Sequence, residues 1–279
     1  MVHALVTVIL LLCGLVTSYA AGPTERLFDQ GRAIPFYNQP RNPDHEKFAE
    51  VARRSHLAER MAGLVNHSLL LRADIGVGFE SCGRPNAFFS SKRRVVVVCY
   101  EFIDLLGNIA SGDRELMSMP RDRFARVIDG VVWSVFLHEL GHAVIAVNAV
   151  PVTGREEDVA DQFAMWFALN FVDLSQTPII NPTIWFWSRL AREQDIPSMS
   201  EEGRRMLLSD EHSLNEQRVY NVGCWALGFG GEAGARSAQL AGVTRERAQR
   251  CPEEYAKMDF GMRSHFLKFF KIRPFSGRW

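Results

Sequence analysis

His138, Glu139 and His142 stand in the string HELGH at 138–142. Two histidines four apart on a helix lie about 40° apart around its axis, so both imidazoles leave one face. From there both ring nitrogens can reach one zinc ion, with Glu139 beside the metal's open position, where a general base works. Catalytic zinc takes three protein ligands and a water, so a third ligand must come from elsewhere. The run Gly154-Arg155-Glu156-Glu157-Asp158-Val159-Ala160-Asp161 offers it. Glu157 is the expected ligand. Asp161, one turn on, is expected to accept the second ring N–H of a ligand histidine and so fix its tautomer. Glu156 is the rival ligand, but the residue four beyond it is Ala160, which has no polar group to support it.

Helices must carry these groups. Phe124, Ile128, Val131, Val135, His138, His142 and Ile145 recur at intervals of three and four, one unbroken face at helical period. The spacing predicts a long helix starting near Arg121, ended by Pro151 and Gly154. A second helix then opens with acids in its first turn, where the dipole favours them. Ala164 and Ala168 continue its Glu157–Asp161 face, and their small side chains would let it lie close to the first helix. The stretch 131–150 is apolar enough to raise the question of a membrane span. Arg123, Arg126 and Asp129 just upstream, and the acidic turn just after, favour a buried helix of a soluble enzyme.

HExxH followed by a helix carrying ExxxD resembles the gluzincin metallopeptidases, of which thermolysin is the familiar member. The run HELGHAVIAVNAVPVTGREEDVADQFA is more closely similar to a bacterial family of secreted metallopeptidases, a domain family without an assigned function. The segments SCGRPNAFF, VVVVCYEF, DEHSLNEQRVYNVGCWALG and RCPEEYAKM fit it too, and the similarity runs from about Leu70 to the C-terminus. The resemblance implies a zincin-like peptidase with His138, His142 and Glu157 as ligands and Glu139 as base. It supplies no substrate. Gluzincin-like enzymes also bring a downstream His or Tyr to the developing oxyanion. His212 and Tyr220 are the candidates here, with Arg218 third.

Upstream, Leu71, Ala73, Ile75, Val77 and Phe79 alternate with polar residues and glycines, as a strand with one buried face does. Residues 86–89 and 95–98 read as two further strands. A hairpin centred between Ser90 and Ser91 places Cys82 opposite Cys99, which favours an 82–99 disulfide and leaves Cys224 with Cys251. In zincin-like sites an edge strand beside the metal pairs with extended substrate. Asn86, Ala87 and Phe88 are the candidate edge, and Pro85 suits an edge position because it cannot donate to a ladder. Residues 44–66 are mostly helix-forming, and residues 24–43, rich in Pro, Asn and Gly, read as an extended arm.

Residues 1–21 read as a secretory signal peptide or an uncleaved anchor, with a small-residue exit at Ser18-Tyr19-Ala20-Ala21. Its apolar run contains Cys13, the fifth cysteine. Residues 22–43 are then the arm, and residues 44–279 a single metallopeptidase-like domain with its site between two lobes. The 32 basic and 32 acidic residues balance, which argues against a nucleic-acid partner. Past the second helix, further helices are expected from Asn181-Pro182, after Ser200, over 215–227 and over 252–271, with a loose tail at 273–279.

The sequence thus predicts an α+β, zincin-like fold: a small mixed or antiparallel sheet with a hairpin on the long HExxH helix, and a mainly helical C-terminal half. The expected function is exported peptide-bond hydrolysis with one Zn2+, on a peptide or protein substrate, and with no membrane span beyond the N-terminal segment. A zinc hydrolase of a non-peptide amide, such as a cell-wall crosslink, is the alternative, as is an exported metal-binding or structural protein without turnover.

Overall fold

The computed structural model describes residues 29–194 and 196–275. Residues 1–21, read from the sequence as a signal peptide or an uncleaved anchor, lie outside the described residues. Four strands form one sheet: β1 (Ala33–Tyr37), β2 (Ile75–Glu80), β3 (Ala87–Ser90) and β4 (Val95–Cys99), in the order β1-β2-β4-β3. β1–β2 and β2–β4 are parallel, and β3–β4 is an antiparallel hairpin at the edge. β2 and β4 form the buried centre, with Ile75, Val77, Phe79 and Val96 to Val98 at 0–1% exposure. The fold is α+β and mainly helical, as its sequence pattern predicts.

Several boundaries differ from the sequence reading, each for a physical reason. The arm contains β1, which pairs parallel with β2 from Ala33↔Ile75 to Tyr37↔Phe79. Pro35 hides it from pattern reading and is tolerated because β1 is an edge. The strand expected from Leu71 starts at Ile75. Leu71 pairs only in a lone bridge with Gly31, the chain bends at 72–73, and the Asp74 carboxylate accepts the Arg32 N–H at 2.7 Å. The helix expected over 44–66 is two, α1 (Glu46–Arg54) and α2 (Leu57–Ser68), because His56 is left-handed at φ 52°. The six-residue gap between Val51 and Leu57 already breaks the helical period.

The hairpin centre is also displaced. Ala87 faces Val98 and Ser90 faces Val95, so the midpoint falls between Lys92 and Arg93 and Cys99 faces Asn86. Cys82 nevertheless bonds to Cys99, because the loop before β3 folds back with Gly83 at φ 80°. The expected pairing occurs, but by a different geometry.

α3 (Tyr100–Ser111) and the short α4 (Arg114–Met117) lead to α5 (Arg121–Asn148), the 28-residue helix carrying HELGH. By length and composition α5 could cross a membrane, but 83% of its apolar stretch is buried inside this protein. α6 (Glu156–Phe171) packs back along it. The two approach closely at Gly141, where a Cβ would stand 3.1 Å from Ala160 Cα. Ala164 and Ala168 are 1% and 0% exposed, and Phe163, Trp166, Phe167 and Phe171 fill the core beside them.

α7 (Ile180–Glu193), α8 (Glu201–Ser209), α9 (Asn215–Phe229), α10 (Gly231–Leu240), α11 (Arg245–Ala248) and α12 (Cys251–His265) complete the helical half. A Cys224–Cys251 disulfide ties α9 to α12. α10 and α11 have no counterpart in the sequence reading. The C-terminal helix ends at His265 rather than Lys271, and the tail is not loose through Phe275, whose N–H bonds the Asn170 carbonyl at 2.8 Å. Two disulfides suit an oxidising, exported environment.

Candidate active site

His138 and His142 leave α5 one turn apart, and Glu157 enters from the first turn of α6. The Nε2 atoms of the two histidines are 3.3 Å apart, and Glu157 Oε2 lies 3.0 Å from one and 3.2 Å from the other. Two atoms each about 2.05 Å from a tetrahedral zinc stand roughly 3.3 Å apart, so these separations fit one ion. Two imidazoles and a carboxylate are also a donor set that zinc accepts. Of the metal-ligating side chains among the described residues, these three are the group with no disulfide-bonded member whose ligand atoms lie within 4.8 Å of one another.

Each histidine is held from behind. His138 Nδ1 donates to Asp161 Oδ1 at 2.8 Å and His142 Nδ1 donates to Glu156 Oε1 at 2.8 Å. Glu156 therefore faces the far nitrogen of His142, where the sequence reading had it only as a rival ligand. Asp161 is gripped in turn by Arg218, through Nε to Oδ2 at 2.8 Å and through Nη2 to Oδ1. The Arg218 guanidinium lies 3.5 Å from the Trp187 ring centroid and is shielded from water.

Charge is concentrated here. Burial would raise the Glu157 carboxyl, but hydrogen bonds from His138, His142 and His212 outweigh it and hold the group far below the carboxylate range. Burial likewise opposes the charge on Asp161, and Arg218 and His138 overcome it. His142 is lifted to about 9: burial works against its charged form, but Glu157 and Glu156 win. Glu139, 8% exposed, is raised by burial against the pull of both histidines, with the nearby Phe89 backbone of β3 also lowering it.

Of the downstream candidates, His212 reaches the site. Its Nε2 is 2.9 Å from Glu157 Oε2, its Nδ1 is held by Asp210 at 2.8 Å, and its ring stacks 6.2 Å from His138. The bond to Glu157 lifts it to about 9. Tyr220 does not reach it. Its hydroxyl bonds Glu216 at 3.1 Å, and it is not part of the cleft wall. Arg218 and Val222, one turn apart on α9, face the cleft, and a residue two positions from Arg218 points to the opposite side.

The cleft holds about 220 Å³ and is lined by His138, Glu139, His212 and Arg218 together with the apolar Phe102, Met165, Phe186 and Leu190. Pro85, Asn86 and Ala87 form another wall. Phe88 is turned away from it, with the Arg93 guanidinium 5.6 Å over its ring. β3 is the edge of the sheet. Asn86 faces Cys99 in a bonded pair, so by antiparallel alternation Ala87 and Phe89 turn their N–H and C=O groups outward.

The fold and donor set define an α+β protein able to hold a divalent metal ion. The chain belongs to a family: residues 37–261 match DUF4344, described as "Putative metallopeptidase". That description puts the chain among metal-dependent peptidases in the broad sense. No curated protein and no solved structure matches it.

Proposed function

We propose that this protein is an exported zinc-dependent metallopeptidase of gluzincin-like type, acting on a peptide or protein. The observation that carries the reading is the group of three ligand atoms 3.0–3.3 Å apart, beside a buried glutamate that opens on a cleft. His138 Nε2, His142 Nε2 and Glu157 would hold one zinc ion, which when bound lowers the pKa of a water toward neutrality and polarises a carbonyl. Asp161 and Glu156 keep both imidazoles in the tautomer that leaves Nε2 free for the metal.

Glu139 takes the proton of the attacking water and returns it to the leaving amine. Its raised affinity for protons suits both steps. His212, exposed on one side and held by Asp210, can turn its Nε2–H toward the developing oxyanion. The outward N–H and C=O of Ala87 remain for an extended substrate backbone, which would add to the sheet as a fifth strand. Domain organisation follows the same reading, with the boundary moved to take in β1: one domain that joins the strand at 33–37 to residues 44–279, with the site between the sheet with α5 and the helical half. Residues 1–21 would be the export signal.

The test is metal content by mass spectrometry for wild type and Glu157→Ala, with cleavage of quenched peptide libraries and wall fragments. About one zinc per chain in wild type, much less in the variant, and peptide cleavage are expected. Stoichiometric zinc retained by the variant would remove Glu157 from the ligand set. Cleavage of wall fragments alone would move the substrate to non-peptide amides.

A further inference from the structure

The loop 81–86 joins the central strand β2 to the edge strand β3, and it is held at four points. The Ser81 hydroxyl accepts the Arg41 N–H at 3.0 Å. Cys82 is disulfide-bonded to Cys99 at the end of β4. The Glu101 carboxylate, in the first turn of α3, accepts the Cys82 N–H on one oxygen and the Gly83 N–H on the other, both at 2.9 Å. The Asn86 carbonyl accepts the Cys99 N–H at 3.0 Å. Gly83 at φ 80° lets consecutive N–H groups converge on one anion.

These ties exceed what the sheet requires. β4 is already central and buried, so the core keeps its place without the loop. What the loop does control is the cleft: Pro85, Asn86 and Ala87 wall it together with His138 and Glu139. Glu101 does not itself line the cleft. Its carboxylate is committed to the two loop N–H groups.

We propose that Glu101, with the Cys82–Cys99 disulfide, is a positioning group for extended-chain ligands. It fixes the wall at 85–87 and the outer backbone edge of β3, so that a peptide laid along that edge meets Glu139 and the His138–His142–Glu157 group in register. The inference rests on the metallopeptidase reading and adds to it the device that sets the edge.

The test uses the full metal-loaded chain and two probes. Acetohydroxamate chelates a metal ion and is too short to reach the edge, whereas a tripeptidyl hydroxamate must lie along it. Titration calorimetry gives both dissociation constants for wild type, Glu101→Gln and the double variant Cys82→Ala/Cys99→Ala. Gln keeps one acceptor but turns an amide N–H₂ toward the second loop N–H. In Glu101→Gln the peptidyl probe should bind roughly tenfold more weakly, the scale of one hydrogen bond to a charged group. Acetohydroxamate affinity and metal content should stay at wild-type values. Amide exchange at Phe88, whose N–H bonds into β4 opposite Val97, should quicken in both variants, which keeps the inference testable if one of them is too unstable to titrate. An unchanged ratio between the probes, with unchanged exchange, overturns the positioning role while leaving the peptidase reading intact. Equal affinity of wild type for both probes overturns the two together.

Discussion

Replacing Asp161 by Asn keeps its volume and an acceptor oxygen but removes its charge. The carboxylate takes the His138 Nδ1–H at 2.8 Å and the Arg218 Nε–H at 2.8 Å, with a further bond from Arg218 Nη2. Arg218 is 6% exposed and lies against Trp187, so little water can replace the lost charge. Removing one partner of such a buried pair costs about 3–5 kcal/mol, a large share of a total near 5–15 kcal/mol. The metal-free Asp161→Asn protein should therefore melt roughly 10 °C lower. Metal affinity suffers separately. A lost orienting carboxylate typically costs ~10–100-fold, and the lower end applies because Asn still accepts from His138, though without charge assistance. Adding Arg218→Met removes the orphaned charge, so most of the stability should return while metal affinity stays low. Calorimetry of the chelated protein and zinc competition against a chromophoric chelator read the two effects. Wild-type affinity in Asp161→Asn would refute the orienting role. A double variant less stable than Asp161→Asn would refute the electrostatic argument.

Glu139→Gln should retain zinc and lose at least ~10²–10⁴ in turnover, read by quenched-peptide cleavage beside metal analysis; native-rate cleavage removes Glu139 as the base. The metal-free protein should melt highest between about pH 4.5 and 6.5. His142 and His212 rise from 6.5 to about 9, so their contribution is full below 6.5 and lost as pH climbs through 9. Glu157 is depressed from 4.5, so its contribution is present above 4.5 and lost in acid. A chelated protein whose melting temperature is flat from pH 6 to 10 contradicts this. Gly141→Ala would bring a Cβ to 3.1 Å from Ala160 Cα and 3.3 Å from Phe163 Cδ1. Parting α5 from α6 there should cost about 1–3 kcal/mol and weaken zinc binding, because Glu157 moves with α6. Wild-type values on both counts would mean the contact relaxes freely.

The sequence by itself determined the helix pair and the side chains it brings together. A face at period 3.6 places His138 and His142 together whatever surrounds them, because i and i+4 are neighbours in any helix. The same local rule sets Glu157 over Asp161. The α+β class was legible for similar reasons, since alternation and composition are local signals, whereas the cysteine pairing came out as expected on a hairpin centre that the structure displaces.

Tertiary structure decided what lies between segments far apart in the chain. Nothing in the spacing shows that Glu156 turns to the second nitrogen of His142, that Arg218 grips Asp161 from 57 residues away, or that Glu101 fixes the loop before β3. These partnerships depend on how α5, α6, α9 and the sheet pack, and packing has no period to read. β1 escaped notice because a short strand with a proline looks like a loop until β2 pairs with it. Tyr220 and His212 were both candidates in the sequence, and the rotation of α9 separated them. It turned Arg218 and Val222 to the cleft and Tyr220 away, while the loop before it carried His212 to Glu157.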